Sequence, residues 1–167
     1  MTLRLILTRH AKSSWDDPLQ SDHDRVLNDR GRQSAAAIGG WLARFGYVAD
    51  QVLCSTAQRT RETWDLVSKE LPTAPHAEYL GTLYLAEPDQ MLSALQGATG
   101  QTVMMIAHNP GAAFVAEGLA QNPPEDGRFH RYPTGATTVL DFDADSWSDV
   151  TWNSGRVVDF IVPRDLA

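Results

Sequence analysis

The chain has a single cysteine and no long run of apolar residues. With only Cys54 among its 167 residues, it cannot form an internal disulfide or a cysteine-rich metal cluster. A lone cysteine at the end of a short apolar stretch is more typical of a small core residue than of a nucleophile. No segment approaches the roughly 18 consecutive apolar residues of a membrane-spanning helix, and Arg4 and Arg9 interrupt the first apolar run too soon for a signal peptide. We therefore expect a cytoplasmic protein with no membrane segment.

Positive charge is also scarce. The chain has 14 Lys and Arg residues against 21 Asp and Glu residues, which gives a formal net charge of -7. A nucleic-acid-binding face needs concentrated Lys and Arg, so nucleic acid is not an expected partner, and an anionic ligand must meet a local positive pocket. The composition is that of an ordinary globular protein. The length predicts one domain over residues 1–167, and we expect a monomer or weak dimer.

Short apolar runs alternate with helical patterns along the chain. The helix expected after Asn28, a capping residue, has one apolar face made of Ile38, Trp41, Leu42 and Phe45. The alternation predicts an α/β fold of three layers, with a mostly parallel central sheet and helices on both faces. The predicted strands are the run from Leu3, Val52–Cys54, a short extended piece at Tyr79–Tyr84, Thr102–Ala107, Thr137–Phe142 and Arg156–Val162. Further helices are predicted to begin near Thr56, Glu87 and Asn109.

Three stretches lack a clear helical or strand pattern. Asp16–Arg25 contains a proline and several aspartates, so it is predicted to be a loop over the end of the first strand. Gln121–Tyr132 is predicted to be a polar loop. Trp147–Trp152 lies between the last two predicted strands, and we expect it to pair with them in a hairpin-like arrangement.

Cationic and titratable side chains follow three of the predicted strands. Arg9 and His10 follow the first strand, Arg59 lies one turn past the second, and His108 follows the central apolar run. The carboxyl ends of parallel strands share one edge of a sheet, where open α/β folds bind their ligands. Two guanidinium groups and two imidazoles at that edge suit a phosphoryl group. The helix start near Thr56 is expected to add backbone N–H donors.

The role of His10 has more than one interpretation. Histidine serves as a nucleophile, a base or a metal ligand at neutral pH. A metal site would combine His10 and His108 with acidic or histidine side chains from Asp22–Asp24, but two neighbouring arginines would repel a cation. A single Arg or His after a strand is commonly a solvated or structural residue. Here, however, Arg and His residues follow three predicted strands, and this recurrence favours a phosphate site. The remaining histidines, His76 and His130, are expected at the surface.

Several ordered blocks of the sequence resemble the SixA-type branch of the histidine phosphatase superfamily. That superfamily includes the cofactor-dependent phosphoglycerate mutases. The matching blocks, which run in order over about two-thirds of the chain, are Thr8–Trp15, Asp22–Arg25, Leu27–Gly31, Ser55–Thr63 and Ile106–Gly111. The resemblance implies a phosphoglycerate mutase-like fold and a phosphatase that works through a phosphohistidine intermediate, without a metal or an organic cofactor.

The resemblance also implies a role for each matched side chain. His10 would be the nucleophile, and its other ring nitrogen would donate to a backbone carbonyl. Arg9 and Arg59 would hold the phosphoryl oxygens, and His108 would complete the pocket and stabilise charge in the transition state. Neighbouring substrate-binding contacts would come from Lys12 and Ser13. The implied substrate is protein phosphohistidine; the alternatives are a small phosphoester, acted on by a phosphatase or mutase, and a non-catalytic module that binds phosphorylated ligands.

Two features depart from the pattern of many superfamily members. Many members have Gly, Glu and then Ser or Thr after the Arg-His pair. This chain has Ala11, Lys12 and Ser13 at these positions, as in the SixA-like variant. The insertion that carries the proton donor in phosphoester-cleaving branches is short here. Glu87 is the candidate donor in it, and Glu78 is a weaker one. A short insertion implies an open pocket that admits a phosphohistidine carried by a protein.

Overall fold

The computed structural model describes all 167 residues, and the apolar runs form a single six-stranded sheet. The strands are β1 (Thr2–Arg9), β2 (Gln51–Ser55), β3 (Ala77–Leu80), β4 (Thr102–Ala107), β5 (Thr137–Asp143) and β6 (Gly155–Ile161). Their order across the sheet is β3-β2-β4-β1-β5-β6. The first four strands are parallel, and β5 is antiparallel to its neighbours β1 and β6. The prediction of a mostly parallel α/β sheet is confirmed.

Five helices cover the two faces of this sheet. The helices are α1 (Asp29–Arg44), α2 (Gln58–Ser68), α3 (Pro88–Gln96), α4 (Gly111–Leu119) and α5 (Gly127–Arg131). One core cluster packs α1 and α2 against one face, and a second packs α3, α4 and α5 against the other. Alternate residues of β1 and β4 enter opposite clusters because neighbouring strand residues point to opposite faces. That is why these central strands are apolar almost throughout.

The predictions for the cap and the apolar face of α1 are met at most positions. The Asn28 side chain caps α1 by accepting a hydrogen bond of 2.8 Å from the Gly31 N–H. Within α1 the predicted apolar face is buried at Ile38, Trp41 and Leu42. Phe45 is an exception, because it lies just beyond the helix and is 52% exposed.

The structure corrects the prediction for two later segments. Residues 127–131 of the predicted loop form α5, which is capped by Asp126, whose carboxylate accepts a hydrogen bond from the Arg128 N–H. Trp147–Asp149 forms a 3-10 turn instead of pairing in the sheet, and β5 and β6 pair directly with each other. The buried Trp147 indole anchors this turn by donating a 2.6 Å hydrogen bond to the Gly100 carbonyl. None of the helices has the length and apolar character needed to cross a membrane.

Candidate active site

The carboxyl ends of β1, β2 and β4 meet at one edge of the sheet. In register, Arg9 lies opposite Ala107, and Cys54 lies opposite Ile106, so the residues that follow these strands are brought together. A pocket of about 330 Å³ opens at this edge. It is lined by Arg9, His10, Lys12, Ser13, Trp15, Asp22, Arg25, Arg59, Leu85, His108, Asn109 and Thr134.

His10 is buried in this pocket with one ring nitrogen fixed by the backbone. Its Nδ1 lies 2.7 Å from the Ala11 carbonyl oxygen. Because a carbonyl can only accept, Nδ1 carries the proton, which leaves Nε2 with a free lone pair. Burial, reinforced by the nearby His108 and arginine side chains, lowers the pKa of His10 to about 3. His10 is therefore a neutral imidazole at neutral pH.

The loop after His10 is fixed by the residues at the start of α1 and by a side chain of α2. The Ala11 N–H donates to Thr63 Oγ1 at 3.0 Å, and the Asn28 N–H donates to the Lys12 carbonyl at 3.0 Å. The same Lys12 carbonyl packs so closely on α1 that a Cβ added at Gly31 would lie 2.0 Å from its oxygen. Gly31 is thus required for the close approach that orients the loop.

His108 lies beside His10 and is oriented by a serine at the end of β2. The two imidazole rings are 5.3 Å apart between centroids. His108 Nε2 lies 2.7 Å from Ser55 Oγ, whereas its buried Nδ1 has no hydrogen-bond partner in the protein. Burial and the charge of Arg59 lower the pKa of His108 to about 3. Ser55 was not among the predicted site residues, although it lies at the end of a parallel strand, the same signal that identified His10 and His108.

Each of the two predicted arginines has a buried N–H donor that has no acceptor in the protein. Arg9 Nη1 donates to the Tyr132 carbonyl at 3.1 Å, and Arg59 Nη1 and Nη2 donate to the Asp22 carbonyl and carboxylate at 2.6 and 3.1 Å. The buried Nε atoms of both arginines have no hydrogen-bond partner. Together with His108 Nδ1, they are the buried side-chain polar atoms without partners in this protein. Since burying such groups unpaired is costly, their clustering indicates a site for an anion.

A third arginine and a carboxylate complete the pocket wall. Arg25 is buried, donates to Ser13 Oγ at 2.7 Å, and lies 3.6 Å from the centroid of the Trp15 ring. Asp22 accepts hydrogen bonds from Arg25, from Arg59 and from the Tyr84 hydroxyl. Partial burial opposes ionisation of Asp22, but the hydrogen bonds from Tyr84 and Arg59 outweigh it and lower its pKa to about 2. Asp22 is therefore a hydrogen-bond acceptor at neutral pH and holds two arginines in place.

Not every predicted site residue reaches the pocket. Lys12 and Ser13 line it, but Glu87 is exposed at the start of α3 and does not. Glu78 is exposed on β3, where its carboxylate accepts a 2.7 Å hydrogen bond from Gln51 Nε2. His76 and His130 are exposed, as expected from the sequence.

Two of the predicted backbone donors at the start of α2 already have acceptors within the protein. The Ala57 N–H donates to Ser55 Oγ at 3.3 Å, and the Gln58 N–H donates to the His23 carbonyl at 2.9 Å. These two N–H groups are therefore not free to bind a ligand. The bond to His23 instead ties α2 to the loop that carries Asp22.

The structure does not show the side-chain arrangement that a metal site at His10 and His108 would need. No group of three or more His, Cys, Asp or Glu side chains is arranged to hold a metal ion. His23 points to Thr56, with its Nε2 2.9 Å from the Thr56 hydroxyl oxygen. The two pocket histidines instead share their surroundings with three arginines, Arg9, Arg25 and Arg59. This lining favours an anion over a cation.

The pocket thus holds a neutral buried histidine among arginines at the carboxyl edge of an α/β sheet. Residues 5–79 match the model of the histidine phosphatase superfamily (branch 1). An uncharacterized protein of Mycobacterium leprae (strain TN) is 33% identical over 165 residues, which cover 93% of this chain and 99% of that protein. The chain belongs to the histidine phosphatase superfamily and has its phosphoglycerate mutase-like α/β fold.

Two solved structures have a similar fold along nearly the whole chain. One is from Nakamurella multipartitia and has a TM-score of 0.83 at 25% identity, covering 98% of this chain and 97% of that one. Another is from Agrobacterium tumefaciens and has a TM-score of 0.78 at 29% identity, covering 96% of this chain and 98% of that one. Both are provisionally described as the phosphohistidine phosphatase SixA. The chain is thus similar to SixA structures along nearly its full length.

Proposed function

We propose that this protein is a phosphatase that removes the phosphoryl group from phosphohistidine in proteins, through a phosphohistidine intermediate on His10. The observation that carries the proposal is the state of His10, a buried neutral imidazole whose Nδ1 proton is held by the Ala11 carbonyl. Nε2 is thereby left as the nucleophilic atom. A neutral nucleophile beside positive charge is what phosphoryl transfer to an imidazole needs.

The reaction has two displacements at phosphorus. In the first, the lone pair of His10 Nε2 forms a bond to phosphorus while the bond from phosphorus to the substrate nitrogen breaks, and the protonated substrate imidazole leaves as a neutral ring. In the second, water attacks phospho-His10 and the P–N bond to His10 breaks, releasing inorganic phosphate. Arg9, Arg59 and His108 line the pocket and stabilise the charge on the phosphoryl oxygens in both steps.

Two features of the pocket favour a substrate carried by a protein. Its rim exposes large apolar side chains, with Trp15 76% and Leu85 52% exposed, and such surfaces are typical of protein contacts. No protonated carboxyl group faces the site, because Glu87 lies outside it and Asp22 is ionised. A phosphoester needs a proton for its leaving alkoxide, whereas a protonated phosphohistidine brings its own. The two SixA-like structures are consistent with this substrate class.

The test is transfer of labelled phosphate from a phosphohistidine protein and from a small aryl phosphate. With the wild-type protein, we expect phosphate on the enzyme that is labile in acid and stable in alkali, followed by release of inorganic phosphate. His10→Ala and the more conservative His10→Asn should abolish both, because neither supplies an imidazole nitrogen. His76→Ala changes an exposed histidine outside the pocket and should behave as wild type.

Each alternative has its own outcome. Turnover at the wild-type rate by the folded His10→Ala variant would refute His10 as the nucleophile. Efficient turnover of the aryl phosphate with none of phosphohistidine would favour a phosphoester substrate. Tight binding of phosphate without turnover of either compound would favour a non-catalytic binding module.

A further inference from the structure

A second, strongly cationic depression lies next to the catalytic pocket. It has a volume of about 280 Å³. Five basic side chains line it: Lys12, Arg30, Arg128, Arg131 and Arg164. We call this depression the basic groove. They come from separate segments: the loop after β1, the start of α1, α5 and the C-terminal 3-10 turn. The fold thus gathers more than a third of the 14 basic residues of an acidic chain around one feature.

Most of these cations have no carboxylate partner. Arg128 pairs with Asp126 and Asp165 at 2.9 and 2.7 Å, and neither of these carboxylates lines the groove. Lys12, Arg30, Arg131 and Arg164 are exposed and form no salt bridge. In a protein with a net charge of -7, unpaired cations clustered in this way create a local positive potential that attracts anionic ligands.

The basic groove is continuous with the catalytic pocket. Lys12 and Thr134 line both. A substrate whose phosphoryl group lies against His10 therefore has its neighbouring parts within reach of the groove. The position of the groove makes it part of the surface that a large substrate must cover.

The character of the groove favours an acidic protein surface over a single small anion. The buried polar atoms without partners all belong to Arg9, Arg59 and His108 in the catalytic pocket, and none belongs to the groove. The groove's unpaired cations are long, exposed side chains spread over several segments. Such an arrangement gives long-range attraction to several carboxylates more readily than tight coordination of one ion.

We infer that the basic groove docks acidic side chains that flank the phosphorylated histidine of the substrate protein. This inference rests on the proposed phosphohistidine phosphatase function and adds a substrate preference to it. The groove would raise kcat/KM for acidic substrates by speeding encounter and leave the chemical steps to the pocket.

The test uses two peptides that differ only in charge. Both carry a single histidine, phosphorylated chemically with phosphoramidate; one has glutamates around it and the other has glutamines at the same positions. At an ionic strength of about 0.01 M, where the Debye length is about 30 Å, we expect kcat/KM to be about tenfold higher for the glutamate peptide. At about 1 M salt, the Debye length falls to about 3 Å and the preference should disappear.

Charge reversal locates the preference. Arg30→Glu/Arg164→Glu should abolish it while kcat/KM for p-nitrophenyl phosphate stays within twofold of wild type, because neither residue lines the catalytic pocket. Arg44→Glu/Lys69→Glu is the matched control, with the same change in net charge at exposed residues outside both features, and it should keep the preference.

The possible failures are distinguishable. If both peptides are dephosphorylated equally well at low salt, the docking inference is wrong and the proposed function stands. A preference that survives in Arg30→Glu/Arg164→Glu, or is lost equally in the control variant, also overturns the groove as the docking site. If p-nitrophenyl phosphate is hydrolysed and neither peptide is, both the proposed function and the inference fail.

Discussion

Acid should destabilise this protein because two histidines are buried in the neutral form. His10 and His108 have a pKa of about 3 in the folded protein, against 6.5 for an unperturbed histidine. Between these values the unfolded chain binds more protons than the folded one, so the free energy of unfolding falls as the pH falls through this window. Asp22 acts in the same direction only at lower pH, since its pKa is lowered from 3.8 to about 2.

The size of the effect follows from the two pKa values. One such histidine lowers the free energy of unfolding by about 2.5 kcal/mol between about pH 7 and about pH 4.5. The two together account for about 5 kcal/mol, which is a large part of the roughly 5 to 15 kcal/mol that stabilises a typical domain. Replacing one of the two histidines should therefore halve the loss of unfolding free energy that the pair causes on acidification.

Urea unfolding followed by tryptophan fluorescence at these two pH values measures the effect. In His10→Asn, the loss of stability on acidification should be smaller than in the wild type by about 2.5 kcal/mol. His76→Gln, which changes an exposed histidine, should leave the wild-type loss unchanged. The explanation by buried neutral histidines is refuted if His10→Asn loses as much stability as the wild type.

Two further predictions concern the arginine network and the loop after β1. On the proposed role of Arg59 in holding the phosphoryl group, Arg59→Lys should lower kcat/KM for phosphohistidine about 100-fold while the fold is retained, because lysine lacks the planar fork that also binds Asp22. Arg44→Lys serves as the control. Steady-state kinetics that show less than a fivefold loss would contradict this role. Gly31→Ala should destabilise the fold by about 1 to 3 kcal/mol and lower activity, because the added Cβ would collide with the Lys12 carbonyl. Gly40→Ala in the same helix is the control, since its Cβ would meet nothing within 4 Å. Equal stability of the two variants in urea unfolding would contradict this explanation.

The sequence was informative where function depends on strand ends. β1, β2 and β4 are short apolar runs that end abruptly in polar residues, and a parallel sheet necessarily brings such ends to one edge. The proximity of Arg9, His10, Arg59 and His108 was predictable from this rule alone. The cap at Asn28 was predictable too, because it depends only on neighbouring residues.

The parts of the site that depend on loop packing were not predictable in this way. Tyr84 follows a 3-10 turn after β3 and reaches Asp22 across 62 positions of sequence. Neither residue lies at a strand end, and neither belongs to a periodic pattern. Arg25 lies in a block that the sequence analysis had identified, but nothing in its spacing indicates that its guanidinium is buried between Ser13 and Trp15.

The location of the acidic groups bears most directly on the reaction. Glu87, the proton donor predicted in the insertion after α2, is exposed and lies outside the pocket. The carboxyl group that does line the pocket, Asp22, comes from the loop after β1, and its pKa of about 2 leaves it without a proton at neutral pH. The Tyr84 hydroxyl donates a hydrogen bond to Asp22, and burial and that carboxylate raise the pKa of Tyr84. A pocket with these groups offers a leaving group no ready proton, which supports the proposed substrate class, because a protonated phosphohistidine carries its own proton.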